Sequence, residues 1–359
     1  MTNFKSLVFY IILFSISTYL IFLSSKTDKK VRKKVFVSIG LAIPILMSAL
    51  RYNVGTDFNT YVDMYNAIKN SNVNIVEGLF SVICKIAIEL GNVQYMFAIY
   101  SILTIIFIYK ALEYNKDRYS LSLCFFLYLF FYFVTSFNLV RQALAVAIVF
   151  YSYRYLTEKN LKKFVFWVLI ASLAHKTALV FLPLYFIVPK NKEKISKTQL
   201  IQVISIMIIM MIVLNFDTLL QYITNFSMFE KYTIYTNAVK TENKSLILKL
   251  FLLGIFLCFR KQLKAYEGKN NIYIVLFVIG VLLEFTGFFS AFVKRIAIYF
   301  TISDIYLITC LPKIFNKKDR NIILLAIICY TIVFFTISFY IKEQSNVIPY
   351  RTIYEEVKL

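Results

Sequence analysis

The sequence predicts an all-α fold: a polytopic integral membrane bundle of about ten to twelve transmembrane helices around an outward-facing cavity. Three observations predict it. The 359 residues are 60% hydrophobic and 18% aromatic, with a mean hydropathy of +0.70, against roughly 45–50% apolar residues in a soluble domain. The apolar residues come in long runs rather than alternating every second position, which excludes an outer-membrane barrel. The basic residues, which give a net charge of +21, crowd the short segments between runs, as cytoplasmic loops do. That crowding accounts for the charge without nucleic acid, so no nucleic-acid partner is expected.

The runs fall at 4–23, 35–50, 94–110, 120–135, 139–156, 164–188, 199–216, 246–259, 271–290, 294–312 and 321–341. Six basic loops, at 26–34, 110–118, 154–163, 190–197, 260–269 and 313–320, hold 25 of the 40 basic residues. Placing all six in the cytoplasm orients the bundle. The first run is long enough to span. One lysine, Lys5, lies at its start, six basic residues follow it, and no small-residue cleavage site appears, so it reads as a span with its N-terminus outside.

The segment 51–93 then lies outside. Its apolar part, 75–90, carries Glu77, Lys85 and Glu89 and reads as an amphipathic interfacial helix. Runs 94–110, 120–135 and 139–156 read as spans. Run 164–188 begins and ends at basic loops, so it reads as a re-entrant hairpin or two short spans turning near Ala174-His175-Lys176; a single 25-residue span is the other solution. Arms of about 12 residues reach only about 18 Å, and such a hairpin must be buried in protein or line water. A second external segment is expected at 217–245, and the remaining runs read as spans. The whole chain, 1–359, reads as one membrane domain.

Five cysteines are scattered through apolar segments with no C-x-x-C pair, and there is one histidine. Small buried hydrophobes are the natural reading of such cysteines, and no metal or other cofactor is expected. The chain has no Walker A loop, G-x-S-x-G elbow, H-E-x-x-H helix or loop D-x-D. A transferase of this composition uses a lipid-linked donor rather than a nucleotide sugar.

Under this topology the unusual charges converge on one face. Arg51 and Asp57 lie outside, in Arg51-Tyr52-Asn53-Val54-Gly55-Thr56-Asp57, with Tyr61 following. Asn138, Arg141 and Gln142 open a span at its outer end. His175 and Lys176 lie at the hairpin tip. Glu284, Lys294 and Arg295 flank a later external turn, and Arg351 is in the external tail. Charges at membrane depth are costly, and so mark candidate sites. Each also has a plain structural role available: Arg51 snorkelling at a span end, Asp57 capping a helix or pairing with Arg51, Arg141 tolerated in a turn, Arg295 opening a span. A lone histidine such as His175 is commonly a satisfied polar group.

Several stretches, in order, resemble the EpsG-type, Wzy-like family of polysaccharide polymerases. They are Arg51 to Tyr61; Phe137-Asn138-Leu139-Val140-Arg141-Gln142; Ala171 to Leu179 around His175; Lys231-Tyr232 to Tyr235; and Asn346 to Arg351. The resemblance implies an enzyme joining undecaprenyl-pyrophosphate-linked oligosaccharide repeat units at the outer face of a bacterial cytoplasmic membrane, among membrane lipids and other polysaccharide-export proteins. On that reading, Arg51, Arg141, Arg295 and Arg351 are the candidates for the pyrophosphate, since guanidinium grips phosphate bidentately. His175, then Asp57, are the candidate bases. Tyr61, Asn138, Gln142, Tyr232 and Tyr235 are candidates for the sugar. A lipid-linked oligosaccharide flippase, a membrane acyltransferase acting on surface glycans, and a structural partner in a synthesis complex are the alternatives. A flippase predicts Gly/Pro-broken helices in two matching halves, and the chain has only 8 glycines and 5 prolines.

Overall fold

A computed structural model describes residues 2–71, 78–188, 244–286 and 291–356. Among them the fold is helical, with one isolated antiparallel bridge, Arg51 to Thr352, in place of any sheet. It is an all-α polytopic membrane protein. Among the described residues, four helical stretches are long and apolar enough to cross a bilayer: Asn3–Lys26, Gln94–Tyr114, Arg295–Lys313 and Lys317–Ile341. Shorter apolar helices, at 121–137, 176–186, 246–258 and 270–285, accompany them. The expected run at 199–216 lies outside the described residues, as does most of the external segment 217–245.

The chain forms two compact units. The first contains residues 1–154, 165–179 and 308–359. In it α1 (Asn3–Lys26) packs against α2 (Lys30–Ala49). The two approach closely because Gly40 presents no side chain: the Ser17 hydroxyl donates to the Gly40 carbonyl at 2.6 Å, and a Cβ at Gly40 would sit 3.0 Å from Ile21. The α2 helix begins five residues before the expected run. Its first turn is Lys30, Arg32 and Lys33, whose stems extend the apolar surface while their heads stay solvated, so hydropathy alone reads them as loop.

After α3 (Phe58–Ser71) and α4 (Gly78–Glu89), α5 (Gln94–Tyr114) crosses the unit over about 31 Å. The α4 helix buries Phe80, Ile83, Cys84 and Ala87 and leaves Lys85 and Glu89 exposed, a two-faced pattern too short to span. Next, α6 (Leu121–Tyr128) runs into a π-helical turn (Leu129–Phe133) and a 3-10 turn (Val134–Phe137) before α7 (Val140–Thr157). The helical ladder breaks at Asn138. An aromatic core holds this break in place: Phe14 lies 5.2 Å from Phe130, 5.6 Å from Phe133 and 5.8 Å from Phe335.

Helix direction sorts the loops of this unit. The Lys313 ammonium donates to the Arg118 carbonyl at 2.6 Å, and Arg154 lies 5.6 Å from the Tyr114 ring. The basic loops after α5, after α7 and after Cys310 therefore share one end. The start of α1, the end of α2, the start of α5 and the break at Asn138 share the other.

The second unit contains residues 155–164 and 180–307. The Lys159 ammonium donates to the carbonyls of Tyr185 and Val188, and the Phe164 ring lies 6.0 Å from Phe181 and 5.6 Å from Tyr185. The stretch 164–188 thus doubles back on itself, as a hairpin requires and a single straight span forbids. Its first arm is α8 (Leu161–Ala174); the return is a 3-10 turn (Lys176–Phe181) and α9 (Leu184–Ile187).

Further on, α10 (Lys244–Cys258), α11 (Arg260–Tyr266), α12 (Asn270–Thr286) and α13 (Ala291–Thr301) pack together. Gly280 of α12 meets Thr301, where a Cβ would come within 2.6 Å of the threonine methyl. The α14 helix (Asp304–Cys310) and α15 (Lys317–Phe335) follow, with a π-helical turn at Thr336–Ile341. The expected run 294–312 is a broken rod, interrupted between Thr301 and Asp304, where Ser303 donates to the Tyr273 carbonyl at 3.0 Å.

An ion pair joins Lys249 of α10 to Glu284 of α12, with the glutamate only 2% exposed. Lys249→Met leaves a buried carboxylate facing a thioether, and we expect a loss of about 3–5 kcal/mol. The double variant Lys249→Met/Glu284→Leu is expected to recover most of it. Thermal unfolding in detergent of both variants is the check; equal losses in the two would show that the pair contributes nothing as a pair.

Candidate active site

Arg51 follows α2 by two residues and is 1% exposed. Its Nη1 donates to the Ser48 carbonyl at 2.8 Å and the Ser48 hydroxyl at 2.9 Å, and its Nη2 to the Phe137 carbonyl at 3.1 Å. The guanidinium is sandwiched by rings, 4.3 Å from the centre of Phe97 and 4.7 Å from Phe137, with Phe58 at 5.9 Å. Burial pulls its pKa from the ordinary 12.5 to about 10, which leaves it protonated at neutral pH.

This placement turns the Arg51 guanidinium inward. A snorkelling arginine carries its charge to water, whereas this one closes over the Phe137 carbonyl freed by the helix break. Only Nε lacks a hydrogen-bond partner.

The segment around Arg51 is completed by the C-terminal tail. The Tyr52 amide donates to the Arg351 carbonyl at 3.0 Å, the Ile353 amide to the Leu50 carbonyl at 3.1 Å and the Gly55 amide to the Asn346 carbonyl at 2.9 Å. Asn138 Nδ2 donates to the Ser345 carbonyl at 3.1 Å. Tyr350 anchors the tail, its hydroxyl donating to the Met47 carbonyl at 2.8 Å and its amide to the Ser6 hydroxyl at 3.0 Å. Gly55 has φ +98°, and a Cβ there would lie 2.4 Å from Asn138 Oδ1. Only glycine fits both the backbone and the space.

Arg141, half-buried, lies 5.5 Å from the Phe80 ring and bonds the Tyr61 side chain. Burial raises the Tyr61 pKa, and the cation of Arg141 opposes the rise, so Tyr61 stays a neutral phenol. Gln142 and Asn138 are buried. Asp57 precedes α3 in the N-cap position; its carboxylate accepts from the Thr56 hydroxyl at 2.9 Å, and its carbonyl accepts from the Tyr61 amide at 3.1 Å. Beside Ser48 is a small space of about 10 Å³, lined by Ser48, Tyr100, Ser101, Thr104 and Ser136 with apolar neighbours, rich in hydroxyls and without a charged side chain.

The EpsG family model matches residues 34–352, nearly the whole chain. The chain belongs to the EpsG family, a Wzy-like polymerase family. Neither the curated proteins nor the solved structures give a match.

In this EpsG-family chain, one unit brings together Arg51, Asp57, Tyr61, Asn138, Arg141, Gln142 and the backbone of Arg351, whose side chain is exposed. His175 belongs to the same unit and sits at the apex of the hairpin, directly after α8. Its Nδ1 is 2.8 Å from the Thr177 hydroxyl. The Thr177 amide also donates to Nδ1, at 3.4 Å. Arg295 is exposed on α13 in the second unit. Tyr232 and Tyr235 lie outside the described residues. Among the described residues no cluster of three or more His, Cys, Asp or Glu side chains is placed to hold a metal.

Sequence reasoning missed two residues of the candidate site: Gln94, whose Nε2 donates to the Arg51 carbonyl at 3.3 Å, and Ser48. A lone glutamine opening an otherwise apolar run was a usable signal for the first. Nothing local marked Ser48.

Proposed function

We propose that the chain is an extracytoplasmic polysaccharide polymerase of a bacterial cytoplasmic membrane. It joins undecaprenyl-pyrophosphate-linked oligosaccharide repeat units at the outer face, in the synthesis of an exopolysaccharide, capsule or O-antigen. Family membership supports the class of reaction. The observation that carries the rest is the convergence of Arg51, Arg141, Tyr61, Asn138 and the tail at the end of the bundle opposite the basic loops.

In the reaction, a hydroxyl of one repeat unit attacks the anomeric carbon of the sugar on another. The new C–O bond forms as the bond from the anomeric carbon to phosphate breaks, and undecaprenyl pyrophosphate leaves with the electron pair. Negative charge grows on that leaving group, so fixed cations lower the barrier. Arg141 and the exposed Arg351 are assigned to the pyrophosphate, with Arg295 supplementing them. Arg51 is assigned the positioning of Phe137, and through it of Asn138 and Arg141. His175 takes the proton of the attacking hydroxyl; Asp57 is the second candidate. Tyr61, Asn138, Gln142, Tyr232 and Tyr235 are assigned to sugar contact.

The test is the size distribution of lipid-linked and surface glycans in a strain lacking the chain, complemented with variants. Single repeat units outside the membrane without long polymer are the expected result for the deletion. His175→Ala is expected to reproduce it, lowering turnover about 10²–10⁴-fold as loss of a general base does. Repeat units trapped inside would point instead to a flippase, and altered acylation at unchanged length to an acyltransferase.

A further inference from the structure

The opposite end of the first unit carries a second arginine set among aromatic rings. Arg154, in the last turn of α7, is half-buried and lies 3.9 Å from the Tyr151 ring centre and 5.6 Å from that of Tyr114. It also donates to the Tyr151 hydroxyl. Trp167, the only tryptophan of the chain, packs edge-on against Tyr151 at 4.9 Å and Phe107 at 5.6 Å. Tyr114 is 37% exposed at the end of α5.

Two independent features say what this cluster faces. The rings border an apolar surface open to the surroundings on the same helices: Ile102 and Ile106 of α5 are 40% and 42% exposed, and Phe166 of α8, 5.3 Å from Trp167, is 55% exposed. Such a surface contacts acyl chains. The adjoining loops 110–118 and 154–163 carry seven basic residues against Glu113, Asp117 and Glu158, and Lys110 already engages Glu113 at 3.0 Å. The cluster thus sits where tyrosine and tryptophan belts lie in membranes, at headgroup level, in a net positive field.

We propose that Arg154, Tyr151, Tyr114 and Trp167 form a binding site for the headgroup of an anionic phospholipid in the leaflet opposite the candidate active site. A guanidinium held against a phenol ring is pre-ordered to receive a phosphate, while Trp167 and Phe107 take the upper acyl chain. Neither the polymerase reaction nor its residues enter the inference, and the two stand or fall separately.

Trp167 makes the test possible on the unmodified protein. The full chain is reconstituted in vesicles containing, at equal mole fraction, acyl-brominated phosphatidylglycerol or acyl-brominated phosphatidylcholine, and quenching of tryptophan fluorescence is measured. Preferential quenching by the phosphatidylglycerol is expected, with a relative association about fivefold higher and reduced by added salt. Arg154→Gln is expected to bring the two lipids level, and Arg154→Lys to retain part of the preference. Equal quenching of the natural protein overturns the proposal. So does a preference that survives Arg154→Gln. If Arg154→Gln does not fold, the comparison of lipids in the natural protein still decides. Relief of the phosphatidylglycerol quenching by millimolar inorganic phosphate at constant ionic strength would assign the site to soluble phosphate and overturn the lipid assignment.

Discussion

Arg51→Ala is expected to abolish long polymer and to lower the stability of the chain by about 3–5 kcal/mol. The three carbonyl and hydroxyl acceptors it serves, on Ser48 and Phe137, sit in a part of the bundle where water does not replace the lost donors. Each such group costs about 1–3 kcal/mol when left unmade, and the losses overlap because two acceptors belong to one residue. The ring contacts with Phe97 and Phe137 add to the loss, since a desolvated cation over an aromatic face is stabilising by up to about 2 kcal/mol. Arg51→Lys should recover only part: an ammonium cannot reach both Ser48 and Phe137 in the plane of a fork. The checks are thermal unfolding in detergent and glycan length in the complemented strain. A stable Arg51→Ala protein that makes normal polymer would remove Arg51 from the site altogether.

Gly55→Ala is the second large effect. The substitution puts a methyl 2.4 Å from Asn138 Oδ1 at a φ of +98°. Asn138 cannot simply turn away, because its amide nitrogen is held by the Ser345 carbonyl. We expect about 2–4 kcal/mol of destabilisation, from backbone strain of about 1–3 kcal/mol and the broken Asn138 bond of about 1 kcal/mol. Polymer length should fall with it. Adding Asn138→Ala relieves the clash but not the backbone strain, so the double variant is expected to be more stable than the sum of the two single losses implies. Strict additivity, measured by thermal unfolding, would show that the two loops do not meet in the way described.

Much of this was legible before any coordinates. Apolar run length, the basic loops and the unusual charges gave the helical membrane class and pointed to Arg51, Asn138 and Arg141 as one group. Charge at both ends of 164–188 pointed to a hairpin or two short spans but left a single span open. Legibility stopped where geometry depends on residues far apart in the chain. Hydropathy gives no hint that the helix breaks at Asn138, because Phe130, Phe133 and Phe137 suit a span as well as a π-helical turn. Nor does it tell a guanidinium that reaches out to a ligand from one that folds back onto a carbonyl. The choice for Arg51 rests on the Phe137 carbonyl freed by that break, and the break is held by Phe14 and Phe335 from helices at the two ends of the sequence.

The bond between Tyr350 and Met47 joins residues 303 positions apart, and this separation sets an order of events in the cell. When Arg51 first reaches the membrane, the strands of chain that close its loop have yet to be translated. Through most of biosynthesis the growing polypeptide therefore carries its spans without a finished mouth. Residues 345–353 set it, once the helix Lys317–Phe335 has been threaded across. A chain stalled before residue 345 is therefore expected to insert its helices with the loop at Arg51 still open.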